Sequence, residues 1–343
     1  MAASGMVSTE TAPFALERAT DDLAEGAAKL AGELGSVPVA TVLEDANRTA
    51  GTKAGTAAIG SMKPKPTHWY AFDEGDQDTA DWYPQGLTGS DDSGTLGVPV
   101  FLASWYYKPE AGERGIRVTF LSPETLKYRH ALLVLARPDG SYGPIDIHAG
   151  GIACHGGLLY VADTVRGLRV FDLANVLDLR TAQDDLGDGK RAGRHGRKFH
   201  AFGYRYVIPQ TDFWRVVKPG PRFSFVSIDR STTTPQLVTG EFRGDDPDGW
   251  VARWGLDLAG GEPDDAFVMG HPKIQGATSR DGRWYLSQGG ETSSHNGKLL
   301  VYADGELETR PFPIGPEDLT VQDGALWSLT EFRNKRGIFA VPL

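Results

Sequence analysis

Three stretches of this chain align with one another, and that internal repeat constrains the fold more than any other feature. They are Gly150-Gly151-Ile152-Ala153-Cys154-His155-Gly156-Gly157-Leu158-Leu159-Tyr160-Val161-Ala162-Asp163, Gln275-Gly276-Ala277-Thr278-Ser279-Arg280-Asp281-Gly282-Arg283-Trp284-Tyr285-Leu286-Ser287-Gln288 and Glu317-Asp318-Leu319-Thr320-Val321-Gln322-Asp323-Gly324-Ala325-Leu326-Trp327-Ser328-Leu329-Thr330. Each joins a run of small residues to an aromatic-bearing run through Gly-Gly or Asp-Gly, the chemistry of a two-residue hairpin turn. A looser copy runs from Gln85-Gly86-Leu87-Thr88 to Val100-Phe101-Leu102-Ala103-Ser104-Trp105, and a fifth is inferred over 223–229 and 236–241. Third strands are expected at 116–121, 168–173, 251–256, 298–302 and 338–341, and fourth strands at 128–135, 199–208, 266–269 and 307–311. A repeating hairpin cannot bury its core alone, so the copies must pack against each other.

The last repeat ends at Leu343 without a fourth strand. The run His68-Trp69-Tyr70-Ala71-Phe72 is placed to supply it, which would close a ring and remove an exposed sheet edge. Residues 1–66 differ in texture. They open on a tag-like Met1–Met6 stretch, are rich in Ala, Gly, Ser and Thr, and end at Lys63-Pro64-Lys65-Pro66. Leu23, Ala27, Leu30 and Leu34 recur at helical spacing, with Asp21, Asp22 and Glu25 in the first turn and Gly35 as a stop. This predicts one amphipathic helix near 15–34, then a linker, ahead of a main domain over 67–343.

With 43 Gly and 21 Pro among 343 residues, turns are frequent, as an all-β chain requires. A net charge of −10 argues against nucleic acid as the main partner, and no apolar run is long enough to cross a bilayer as a helix. The one cysteine, Cys154, permits neither an internal disulfide nor a cysteine-based zinc site, and reads as a buried small hydrophobe.

On these repeats, the chain resembles a single five-bladed β-propeller, with six blades as the alternative, carrying an N-terminal helical and linker extension. It is also similar in style to uncharacterised secreted propeller proteins of actinobacteria, with an Ala/Gly/Thr-rich lead and Trp-rich blades. That resemblance implies a secreted monomer whose export signal has been removed, with no membrane partner. It also implies that inner-strand entries and the loops between second and third strands share the mouth of a central funnel. The entries are Gln85, His148, Arg222, Gln275 and Glu317; the loops supply Lys108, Arg166, Arg243, Glu291, His295, Arg333 and Lys335.

From these we take His148, Glu317 and His295 as catalytic candidates, and Gln85, Trp105, Lys108, Arg166, Gln275, Glu291 and Arg333 as binding candidates. Histidine is the natural general base near neutral pH, and a carboxyl group can act as acid, base or ligand. Lys and Arg at the mouth of an acidic protein suit a carboxylated or sulfated ligand, and flat aromatics such as Trp105 stack on sugars. If His148, Gln275, His295 and Glu317 converged, they would form a mixed N/O site for a divalent metal, although no local spacing supports one. There is no Gly-x-Ser-x-Gly elbow, phosphate loop or dinucleotide fingerprint. The reading is therefore an extracellular glycan-active enzyme, a lyase or hydrolase. The alternatives are a non-catalytic propeller that binds carbohydrate or another small ligand, and an interaction scaffold.

Overall fold

The computed structural model describes residues 5–19, 22–108, 112–258 and 260–343. Five antiparallel four-stranded blades follow in chain order. Blade one comprises Trp82–Gly89, Phe101–Tyr107, Ile116–Leu121 and Lys127–Ala136. Blade two comprises Ile152–His155, Leu158–Asp163, Gly167–Asp172 and the later part of Tyr206–Val216. Blade three runs from Phe225–Asp229 through Gln236–Gly240 and Trp250–Gly255 to Asp265–Val268, and blade four from Ile274–Arg280 through Arg283–Gln288 and Asn296–Ala303 to Glu306–Ile314. Blade five has Pro316–Gln322, Ala325–Thr330 and Gly337–Pro342, completed by His68–Ala71. The innermost strands neighbour one another around a closed cycle, with blade five meeting blade one. The ring therefore has five members, and the six-blade alternative is set aside.

The expected fourth strand at 199–208 is displaced. An insertion between the third and fourth strands of blade two carries a polar hairpin, Ala192–His195 with Lys198–Ala201, and the true outer strand is Tyr206–Val216. Its first part runs parallel to Lys127–Ala136 of blade one, and its second part pairs with Gly167–Asp172. Blades one and two are thereby joined into one sheet.

The N-terminal residues do not form a free linker. Val7–Ser8 extends the outer edge of blade three, Leu16–Arg18 that of blade two, and Arg48–Thr49 that of blade one. The helix is Leu23–Leu34; Leu16–Arg18, inside its expected span, is strand instead. Asp21 and residues 1–4 of the tag-like start lie outside the described residues. Leu30 and Leu34 are fully buried against Leu132, Val134, Leu177 and Leu179. Gly26 faces the Ala136 carbonyl so closely that a methyl group there would collide with backbone. The outer edges of blades one, two and three, which would otherwise offer unpaired N–H and C=O groups, are covered by these short strands.

Candidate active site at the mouth of the ring

The entry residues reach the mouth because the inner strands are locally irregular. The pairing register slips between Pro84 and Leu87 in blade one, between Ile274 and Gly276 in blade four, and between Pro316 and Leu319 in blade five. Each slip is a bulge, which re-aims side chains that a regular pleat would alternate between faces. It frees Gln85, Gln275, Glu317 and Asp318. In blade two the same task falls to Ala149, held at φ 51°, a left-handed conformation that non-glycine residues rarely adopt. Close packing at the axis is set by glycine: a Cβ on Gly86 would lie 2.6 Å from the Ile152 nitrogen, and one on Gly276 would lie 2.7 Å from the Asp318 Cα. Blade five carries Asp318 where these blades carry glycine. Its Oδ2 accepts N–H bonds from Leu87 (3.1 Å) and Ile152 (3.0 Å), tying three blades together below the mouth.

Above it opens a cavity of about 610 Å³ lined by all five expected entry residues, Gln85, His148, Arg222, Gln275 and Glu317, together with Arg166. Tyr106, Asp163 and Glu331 also line it; Asp163 is held by Arg169 at 2.9 Å. Glu331, absent from the sequence candidates, stands just after the second strand of blade five. Its N–H bonds to the Gly315 carbonyl at 3.1 Å, which sets it beside Glu317. The available signal was positional, since Asp163 and Gln288 close the equivalent strands of blades two and four with polar side chains.

The hydrogen bonds fix the protonation pattern. Gln85 Nε2 donates to the Pro84 carbonyl and to Glu331 Oε2, both at 3.0 Å. With both amide hydrogens spent, Gln85 Oε1 must accept, and it does so from His148 Nε2 at 2.9 Å. The imidazole is thus locked as the Nε2–H tautomer, leaving the Nδ1 lone pair without a partner among the described residues. Burial and then Arg222 hold the His148 pKa below its ordinary value, so the ring is neutral near pH 7. Tyr106 stacks on it at 4.0 Å. Burial above all, then Glu331 and Glu317 among other neighbours, keeps the Tyr106 hydroxyl protonated, so it is no base.

Glu317 is wholly buried, and burial, followed by repulsion from Glu331 and Asp318, raises its pKa well above the usual range. Beside it, the pKa of Glu331 is also raised by burial, against the opposing effects of Gln85, Arg336 and Lys108. Gln275 Nε2 donates to Glu317 Oε1 at 3.2 Å. Hydrogen bonds therefore run from the imidazole through Gln85 to Glu331, whose charge acts on the carboxylic acid of Glu317.

Other candidates do not join this group. Trp105 is fully buried, with its indole N–H on Thr119 Oγ1 at 2.7 Å, so it packs in the core and presents no face to a ligand. His295 is exposed in its own turn, with Nδ1 2.7 Å from Thr292 Oγ1. Glu291 is exposed beyond the cavity lining, and Arg333 pairs with Asp78 at 2.8 Å. Lys108 lies over the Tyr83 ring at 5.7 Å and acts on the site through its charge. Because His295 stays outside, the four-residue metal set does not form. Among the described residues no group of three or more His, Cys, Asp or Glu is arranged to hold a metal ion.

No protein-family model matches this sequence, and no curated protein sequence does. Among solved structures, it is similar to a GH43_1 enzyme from Xanthomonas citri, with 10% identity over 93% of both chains and a TM-score of 0.36. It is also similar to CoXyl43, a GH43 β-xylosidase/α-arabinofuranosidase from a compost microbial metagenome. That likeness has 11% identity over 76% of this chain and 90% of that one, with a TM-score of 0.37. A nidogen/laminin complex structure matches at 12% identity over 72% of both chains, with a TM-score of 0.35. These overlaps are loose, and the five-bladed architecture rests on the strand pairings of this chain itself.

Proposed function

We propose that this protein is a glycan-active enzyme that cleaves a uronate-containing chain by β-elimination at the mouth of the ring. The observation that carries this reading is the pairing, on one cavity, of a neutral imidazole with a free Nδ1 and a carboxyl group kept protonated. Elimination needs both at once. His148 Nδ1 takes the proton α to the uronate carboxylate. The electron pair left behind forms the new C=C bond as the C–O bond to the leaving sugar breaks, and Glu317 gives its proton to the departing oxygen. Arg222 and Arg166 stand where they can neutralise the carboxylate as charge builds on it. Exchange with water then returns the proton from His148 and restores Glu317.

The test is to incubate the protein with polygalacturonate, alginate and hyaluronan and to follow unsaturated chain ends by ultraviolet absorbance. His148→Ala should lower turnover by about 10²-fold or more while thermal unfolding stays unchanged. Wild-type rates in that variant would remove His148 as base. Binding without any unsaturated product would favour the non-catalytic binding propeller.

A further inference from the structure

We propose that a second groove, lined by arginines and sharing a wall with the cavity, holds the flanking units of a polyanionic glycan, carboxylated or sulfated. The groove has a volume of about 570 Å³ and lies between the outer strands of blades one and two. Among the described residues, Arg137, Arg166, Arg169 and Arg215 line it, against one acid, Asp22. Such a cluster stands out on a chain of net charge −10. Arg166 lines both spaces, so the groove adjoins the cavity at that side chain.

The four cations are not equivalent. Arg169 is buried and neutralised: its guanidinium is held by Asp163 at 2.9 Å and by Gln210 Oε1 at 2.7 Å. It stacks over Phe213 at 4.5 Å, and Arg215 does so at 5.0 Å, which presents planar donors at fixed angles. Arg137 and Arg166 are exposed, and among the described residues neither forms an ion pair. Charge held in a concave, partly apolar groove focuses potential on an anion more strongly than the same charge on a flat surface. Leu23, Leu135 and Pro138 supply apolar surface between the cations. Alternating cationic and apolar surface suits a sugar chain with one anionic group per unit.

This groove takes its ligand class from the elimination reading, but the two can fail separately. Binding is measured for polygalacturonate oligomers of increasing length, for dextran sulfate, for neutral dextran and for a single-stranded oligonucleotide, across a range of salt concentrations. The wild type should bind long anionic oligomers roughly tenfold or more tightly than short ones, with affinity falling as salt rises. Arg137→Ala/Arg215→Ala should lose that length advantage, and Arg137→Lys/Arg215→Lys should keep most of it, which separates lost charge from lost folding. Preference for dextran sulfate or for polygalacturonate identifies the anionic group. Equal length dependence in wild type and the alanine double variant overturns the groove, as does oligonucleotide binding as tight as glycan binding. Arginine-dependent glycan binding without turnover retains the groove and removes the elimination chemistry.

Discussion

At the scale of single residues, the mouth of the ring keeps protonation states that solvent alone would not produce. His148 must be deprotonated to act and Glu317 must be protonated. Turnover should therefore rise with pH through a His148 pKa displaced below 6.5 and fall again through the raised pKa of Glu317. Glu317→Gln should remove the alkaline limb and leave the acidic one, which a pH–rate profile reads directly. The same carboxyl has a stability consequence. Its folded-state pKa is raised, so its contribution is fully present below the unfolded pKa and is lost as pH rises through the folded value. Glu317→Gln should consequently unfold at a higher temperature than wild type at pH 8 and match it near pH 4. An equal difference at both pH values would mean that the carboxyl does not stay neutral in the folded protein. Cys154, by contrast, is an inert part of the core: it is fully buried, and burial pushes its thiol up to about 12.

Among the elements, the helix Leu23–Leu34 was legible from its apolar spacing, but its partner was not. Periodicity identifies the face to be covered and says nothing of what covers it. Here the cover is the outer face of blade one and the insertion of blade two, a contact made by residues far apart in the chain. Leu30→Ala should cost about 2–5 kcal/mol in a denaturant titration, the range for a packed core leucine. A cost under about 0.5 kcal/mol would place the helix in solvent instead. The bulges at Gln85, Gln275 and Glu317 were equally out of reach, because a bulge is a relation between two strands and the repeat shows only one at a time.

For the whole molecule, the decisive step is closure. His68–Ala71 pairs with Gly337–Pro342, so the two ends of the ring meet in one blade. Trp69 anchors that strand: its indole N–H reaches the Ala54 carbonyl at 2.9 Å, and its ring stacks on Phe339 at 6.2 Å. Trp69→Ala should destabilise the protein by about 3–5 kcal/mol and make blade five the first region to lose protection in hydrogen exchange. Uniform loss of protection would show that closure does not hold this blade separately. Behind the seam, the fully buried Arg336 donates to the carbonyls of Asp76 (2.7 Å), Thr79 (2.9 Å) and Glu331 (2.8 Å). It thereby fastens the turn that follows the closing strand to the chain position bearing the missed carboxylate.

The amino-acid sequence by itself determined the repeat, the hairpins, the closing strand and the five residues that meet at the mouth. Each depends on local turn chemistry or on equivalent positions in successive repeats. Only the tertiary structure decided that Glu331 joins Glu317, that Gln85 sets the tautomer of His148, and that Trp105 and His295 stand apart. Those outcomes depend on which strands slip register and on which polar atoms burial leaves for each other. Such relations arise between chain segments and leave no periodic trace within any one of them.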